Sequence, residues 1–133
     1  MLVAELRVAL TVDDFEKAQA FYRDALGLEP GELWTDMGQA QIFSAGRATL
    51  EIFDATQAAS VDRIEVGERV SGQVRFAFEV PDVDAALERA LAHGAALVHA
   101  PVLTPWNHRN ARLQAPDGLQ ITLFQVMQPT DEA

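Results

Sequence analysis

Two arginines occupy matched places in this chain. Arg7 lies in Leu6-Arg7-Val8-Ala9-Leu10-Thr11-Val12, and Arg75 lies in Arg75-Phe76-Ala77-Phe78-Glu79-Val80. A guanidinium is a fixed cation with a planar fork of N–H donors and no lone pair to offer at neutral pH. Its chemistry is recognition of carboxylates, phenolates or carbonyl oxygens, and stabilisation of negative charge. Residues for other chemistry are sparse. The chain has no cysteine, which excludes thiolate catalysis and disulfides. His93, His99 and His108 lack close-spaced partners of the metal-binding kind. His93 is expected to close a helix, with the other two on or near loops. No serine has a histidine at a recognisable spacing, and no nucleophile elbow is present.

The elements that must carry these arginines repeat. Residues 6–12 alternate in apolar character and predict a strand. Asp14 caps a helix whose buried face is Phe15, Ala18, Phe21, Tyr22 and Ala25, with Gly27 as its stop. Residues 75–80 predict a second such strand. Pro81-Asp82 opens a helix with Val83, Ala86, Leu87, Ala90 and Leu91 inward, and Gly94 ends it. An offset of 68 positions places Arg7 on Arg75, Ala9 on Ala77, Val12 on Val80, Asp14 on Asp82 and Ala18 on Ala86. This points to an internal duplication. Three strands follow each helix, at about 32–37, 40–45 and 48–53 and at about 96–99, 109–114 and 119–126. Gly38, Gly46 and Pro116-Asp117-Gly118 form turns between them. One domain is expected, with modules at about 5–54 and 73–126. In the linker at 55–72, the Ala/Ser/Gln stretch at 55–60 reads as the flexible part. The tail from Pro129 is expected to fray.

Strand parity puts Arg7 with Ala9, Arg75 with Ala77, and Thr49 with Glu51 and Phe53 on one face. Val8, Leu10, Phe76, Phe78, Leu50 and Ile52 make the other face wholly apolar. A sheet with one packed side and one mixed, ligand-accepting side follows. With 133 residues the chain can bury a real core without a staple. Its 20 acids against 10 bases repel phosphate backbones and anionic lipid, so neither nucleic acid nor membrane is an expected partner. The first residues lack a signal-peptide pattern and no apolar run reaches membrane-spanning length, so the expected location is cytoplasmic.

The segments Arg7 to Ala18, Phe21-Tyr22-Arg23-Asp24-Ala25-Leu26-Gly27-Leu28 and Ala115-Pro116-Asp117-Gly118-Leu119-Gln120-Ile121 resemble the vicinal oxygen chelate superfamily of glyoxalases, bleomycin resistance proteins and extradiol dioxygenases. The resemblance spans about residues 5–126. It implies an α+β fold in which two βαβββ modules form a cupped mixed sheet with helices on its outer face. Metal-holding members place histidine on the first strand and glutamate on the last strand of each module. Carried over, those positions are Arg7, Glu51, Arg75 and Thr122. Two fixed cations and a hydroxyl suit a divalent ion poorly, so neither metal nor cofactor is expected.

The expected binding set is Arg7, Trp34, Phe43, Glu51, Phe53, Arg75, Trp106, Thr122 and Phe124. Arg7 or Arg75 pairs with Glu51, the other guanidinium stays free, and the aromatic residues rim or line the cup for a planar, mostly apolar ligand with acceptor groups. The resemblance to the metal-free branch implies an antibiotic- or natural-product-sequestering homodimer whose crevices are built from both subunits. The alternative is a metal-independent isomerase, lyase or cyclase acting on a polyketide-like substrate. There, an arginine would hold an enolate and Glu51 would move the proton.

Overall fold

The computed structural model describes residues 2–25, 28–116 and 118–128. The expected Gly27 stop, Asp117 of the last turn and the tail from Pro129 lie outside them. The elements run β1 (Glu5–Thr11), α1 (Phe15–Ala20) widening into a π-helical turn (Phe21–Ala25), β2 (Glu29–Trp34), β3 (Ala40–Ala45), β4 (Ala48–Phe53) and α2 (Ala55–Glu65). They continue with β5 (Val74–Glu79), α3 (Val83–Ala92), β6 (Ala96–Leu103), β7 (His108–Gln114) and β8 (Gln120–Val126). The strands form one eight-stranded sheet, ordered β2-β3-β4-β1-β5-β8-β7-β6. No helix among the described residues is long and apolar enough to cross a membrane.

The register shows the duplication. β1 runs antiparallel to β5, with Arg7 opposite Ala77, Val8 opposite Phe76 and Ala9 opposite Arg75. The arrangement is two-fold about the Val8–Phe76 pair, so the two arginines occupy equivalent places on the same face. Outside them β4 pairs parallel with β1 and β8 parallel with β5. Glu51 lies opposite Ala9, and Thr122 lies opposite Ala77.

Helices α1 and α3 cover the apolar face. Asp14 and Asp82 cap them by accepting the Lys17 and Ala85 N–H groups. Under α3, Val83, Ala86 and Leu87 pack on Ala111, Leu113 and Leu123. Full burial of a side chain such as Val83 contributes about 1.5–3 kcal/mol. Under α1, Phe15, Phe43 and Ile52 form a second cluster with Leu10, Leu50 and Tyr22 around it. Phe43 is therefore a correction to the expected binding set. It sits opposite Leu50, on the helix side of β3, and cannot line the cup.

The linker departs most from expectation. Residues 55–65 are not flexible; they form α2. Asp54 caps it by accepting the Gln57 N–H at 2.8 Å, and the alanines that suggested mobility are good helix formers. Its stripe of Ala58, Val61, Asp62 and Glu65 is buried at helical spacing. Half of that stripe is charged, so apolar periodicity alone does not reveal it. Ala58 and Val61 pack on Ala9, Ala40 and Phe53, with Trp106 alongside. Ala9 and Phe53 belong to the cup face, so α2 lies in the cup. His99 falls inside β6 and not on a loop, whereas His108 opens β7 directly after the turn at 104–107, near a loop as expected.

Candidate functional site

The carried-over positions converge at the centre of the inner face, but their partners differ from those expected. Arg7 does not pair with Glu51. Its Nε donates to Glu5 Oε1 at 2.7 Å, because residues two apart on a strand share a face. Glu5 Oε2 also accepts from Thr49 Oγ1 at 2.6 Å. The Arg7 guanidinium lies 5.3 Å from the centre of the Phe124 ring, and the His108 ring stacks on Phe124 at 5.2 Å.

Arg75 is buried, and its Nη1 donates to Thr122 Oγ1 at 2.8 Å. Through that hydroxyl it joins a network that the sequence reading missed. Arg112 on β7 has no exposed surface. Its Nη1 donates to Asp62 Oδ1 at 2.9 Å and its Nη2 to Glu65 Oε1 at 3.0 Å. Thr122 Oγ1 donates to the same Glu65 oxygen at 2.7 Å, and Asn110 Nδ2 donates to Glu65 Oε2 at 3.1 Å. Asp62 also accepts from the Ser71 hydroxyl, from the Val70 and Ser71 N–H groups and from Arg69. Isolated buried charge is costly, so the network holds together only because each member finds partners. The signal that could have found it was Asp62 and Glu65 in register with Ala58 and Val61, facing an arginine of even parity with Asn110 on β7.

These surroundings set the proton affinities. Burial pushes the Asp62 carboxyl up, but the Ser71 and Val70 bonds and the charge of Arg112 outweigh it and hold the group well below the usual range. For Glu5, burial is likewise outweighed by Thr49 and Arg7, and the result is lowered. Glu51 is raised by burial against the opposing charges of Arg75 and Arg7, and its carboxylate makes no hydrogen bond or ion pair among the described residues. His108 is lowered by burial and by Arg7.

The aromatic residues do not gather around one cavity. Phe53 and Trp106 pack against α2. Trp34 is 42% exposed at the end of the edge strand β2, and Phe124 is buried behind Arg7. The space beneath α2, between Ala9, Phe53, Val61 and Arg75, is about 10 Å³, room for one water. The larger space is an open hollow of about 580 Å³ at the other end of the cup, lined chiefly by Glu5, Arg7, Ser44, Arg47, Thr49 and Glu79. It is polar and carries both charge signs.

The family-type metal position does not fit a metal. Arg7, Arg75 and Thr122 hold three of its four places, and among the described residues no three His, Cys, Asp or Glu side chains converge as ligands.

The model of the Glyoxalase/Bleomycin resistance protein/Dioxygenase superfamily matches residues 6–123. The uncharacterized protein YraH of Bacillus subtilis (strain 168) is 25% identical over 126 residues, 92% of this chain and 98% of that one. A superfamily member from Vibrio splendidus 12B01 superposes with a TM-score of 0.66 at 17% identity, covering 91% of this chain and 97% of its own. Methylmalonyl-CoA epimerase from Mycobacterium tuberculosis gives a TM-score of 0.68 at 21% identity, covering 99% and 94%. These structural likenesses concern the fold.

Proposed function

We propose that this chain, which belongs to the Glyoxalase/Bleomycin resistance protein/Dioxygenase superfamily, binds and sequesters a small molecule without a metal, in the manner of the bleomycin-resistance type. The observation that carries this reading is Arg7. It lines the open hollow, rests on Phe124 and is oriented by Glu5, so its remaining N–H groups are pre-aimed at an incoming acceptor. Glu5 and Glu79 on the same hollow suit an amine, and the net charge of −10 favours a cationic ligand. The ligand is then a polar antibiotic or natural product with an acceptor group and a basic group. It leaves unchanged, and the working unit is a homodimer.

Calorimetry with a panel of such compounds tests this. Losing one charged hydrogen bond costs about 1.5–3 kcal/mol, so Arg7→Ala should weaken binding roughly ten- to a hundredfold. Unaltered affinity in that variant removes the hollow from consideration. Sedimentation of the free protein as a monomer at working concentrations would remove the dimer.

Glu51 favours a second reading, a metal-free isomerase or lyase. A carboxylate with raised proton affinity, no hydrogen-bond partner among the described residues and two guanidinium groups nearby is suited to take a proton next to a carbonyl. The fold likeness to methylmalonyl-CoA epimerases makes an acidic C–H beside a thioester the first substrate class to try. Protein-dependent solvent deuterium uptake into such a compound, abolished by Glu51→Gln, would replace sequestration with catalysis.

A further inference from the structure

The linker helix sets a carboxylate where a ligand's carboxylate could sit. Glu65 Oε1 accepts from Arg112 Nη2 and Nε at 3.0 and 3.2 Å and from Thr122 Oγ1 at 2.7 Å, and Oε2 accepts from Asn110 Nδ2 at 3.1 Å. These donors stand on β7 and β8, whereas the acceptor arrives from α2. Arg75 and Arg112 both donate to the Thr122 oxygen, which fixes its hydroxyl proton on Glu65. A guanidinium fork, an oriented hydroxyl and an amide are what a protein uses to hold a free carboxylate. One buried atom of the set, Asn110 Oδ1, has no hydrogen-bond partner among the described residues.

The helix is fastened in large part by these polar groups; among the described residues its buried apolar side chains are Ala58 and Val61. Asp62 binds the backbone of Val70 and Ser71, which makes the helix and the loop after it one body. That body ends at exposed Gly72, which has no neighbour that a side chain there would meet. We propose that Asn110, Arg112 and Thr122 form a carboxylate-binding site that α2 occupies with its own Glu65, and that a small carboxylate-bearing ligand reaches the deep cup by displacing α2. Opening without an anion breaks the pairs of Arg112 with both Asp62 and Glu65 and takes the acceptor from Asn110 and Thr122, so the closed state is favoured until a replacement carboxylate arrives. The proposal stands apart from the Arg7 hollow and does not depend on what binds there.

Two measurements test it. Glu65→Ala leaves a carboxylate-sized gap, whereas the amide of Glu65→Gln fills it. Sodium formate at ~50 mM should raise the Tm of Glu65→Ala by on the order of 3 °C beyond matched sodium chloride, and leave Glu65→Gln unmoved. Equal responses of both variants to both salts overturn the site. If Glu65→Ala does not fold, Glu65→Ser, whose small side chain leaves most of the same gap, is read in the same way. Displacement is tested on the unaltered chain by amide hydrogen exchange with malonate. Exchange in 55–65 should speed up roughly tenfold while 108–126 is unchanged or slower. Unchanged exchange in α2 at ~100 mM malonate overturns the displacement.

Discussion

Glu51 and Asp62 are both carboxylates on the cup side, yet their surroundings drive them in opposite directions, and stability should report this. Asp62 is lowered, so its contribution is complete above the unfolded aspartate value and is lost as pH falls through it toward the folded value. Asp62→Asn should be less stable than the unaltered chain at pH 7 by on the order of 2 kcal/mol, and the gap should narrow below pH ~4. Urea unfolding at the two pH values checks this. Glu51 is raised, so its folded form is favoured when protonated, and stability declines as pH rises from the unfolded glutamate value to the folded one. Glu51→Gln should therefore stabilise at pH 7 by about 1 kcal/mol and have little effect near pH ~3.5. A destabilising Glu51→Gln at neutral pH would show that Arg75 and Arg7 outweigh burial.

Among the elements, α2 decides the shape of the cup, and two local features hold its first turn. One is the Asp54 cap, whose loss in Asp54→Ala should cost about 1 kcal/mol. The other is Gly38, at φ 113°, where an added Cβ would lie 2.2 Å from the Gln57 nitrogen. The two nearest atoms are backbone, the Gln57 nitrogen and Cα, and the third is the capping Asp54 carboxylate oxygen at 2.8 Å, so the helix start itself must move. Gly38→Ala should cost more than the cap does, about 2–3 kcal/mol, and should loosen α2 selectively. Denaturation midpoints compared with amide exchange in 55–65 separate a local from a global effect. A cost no larger than that of Asp54→Ala would mean that α2 does not rest on this turn. The helix was hidden in the sequence because its buried stripe mixes Ala58 and Val61 with Asp62 and Glu65. Helices α1 and α3 were legible because their stripes are apolar and their caps are aspartates at equivalent positions in the repeat.

For the whole molecule, the charge of −10 sits mainly on the surface, while the Arg112 network is shielded from solvent. Salt should relieve the surface repulsion without reaching the buried pairs. Raising sodium chloride from ~0.02 to ~0.3 M should therefore increase Tm, and a decrease would mean that exposed pairs such as Arg109–Asp84 matter more than repulsion. By itself the sequence determined the two modules, the faces that β1, β4 and β5 turn inward and the equivalence of Arg7 with Arg75. These follow from a strand period of two, a helical period of 3.6 and a duplication offset, all written along the chain. Only the tertiary structure decided which charges meet. Arg7 takes Glu5 and not Glu51, Phe43 turns to the helix side, and Arg112, Asp62 and Glu65 find one another across 47 and 50 positions of chain. A buried ion pair is fixed by where two elements pack, and no local period records that.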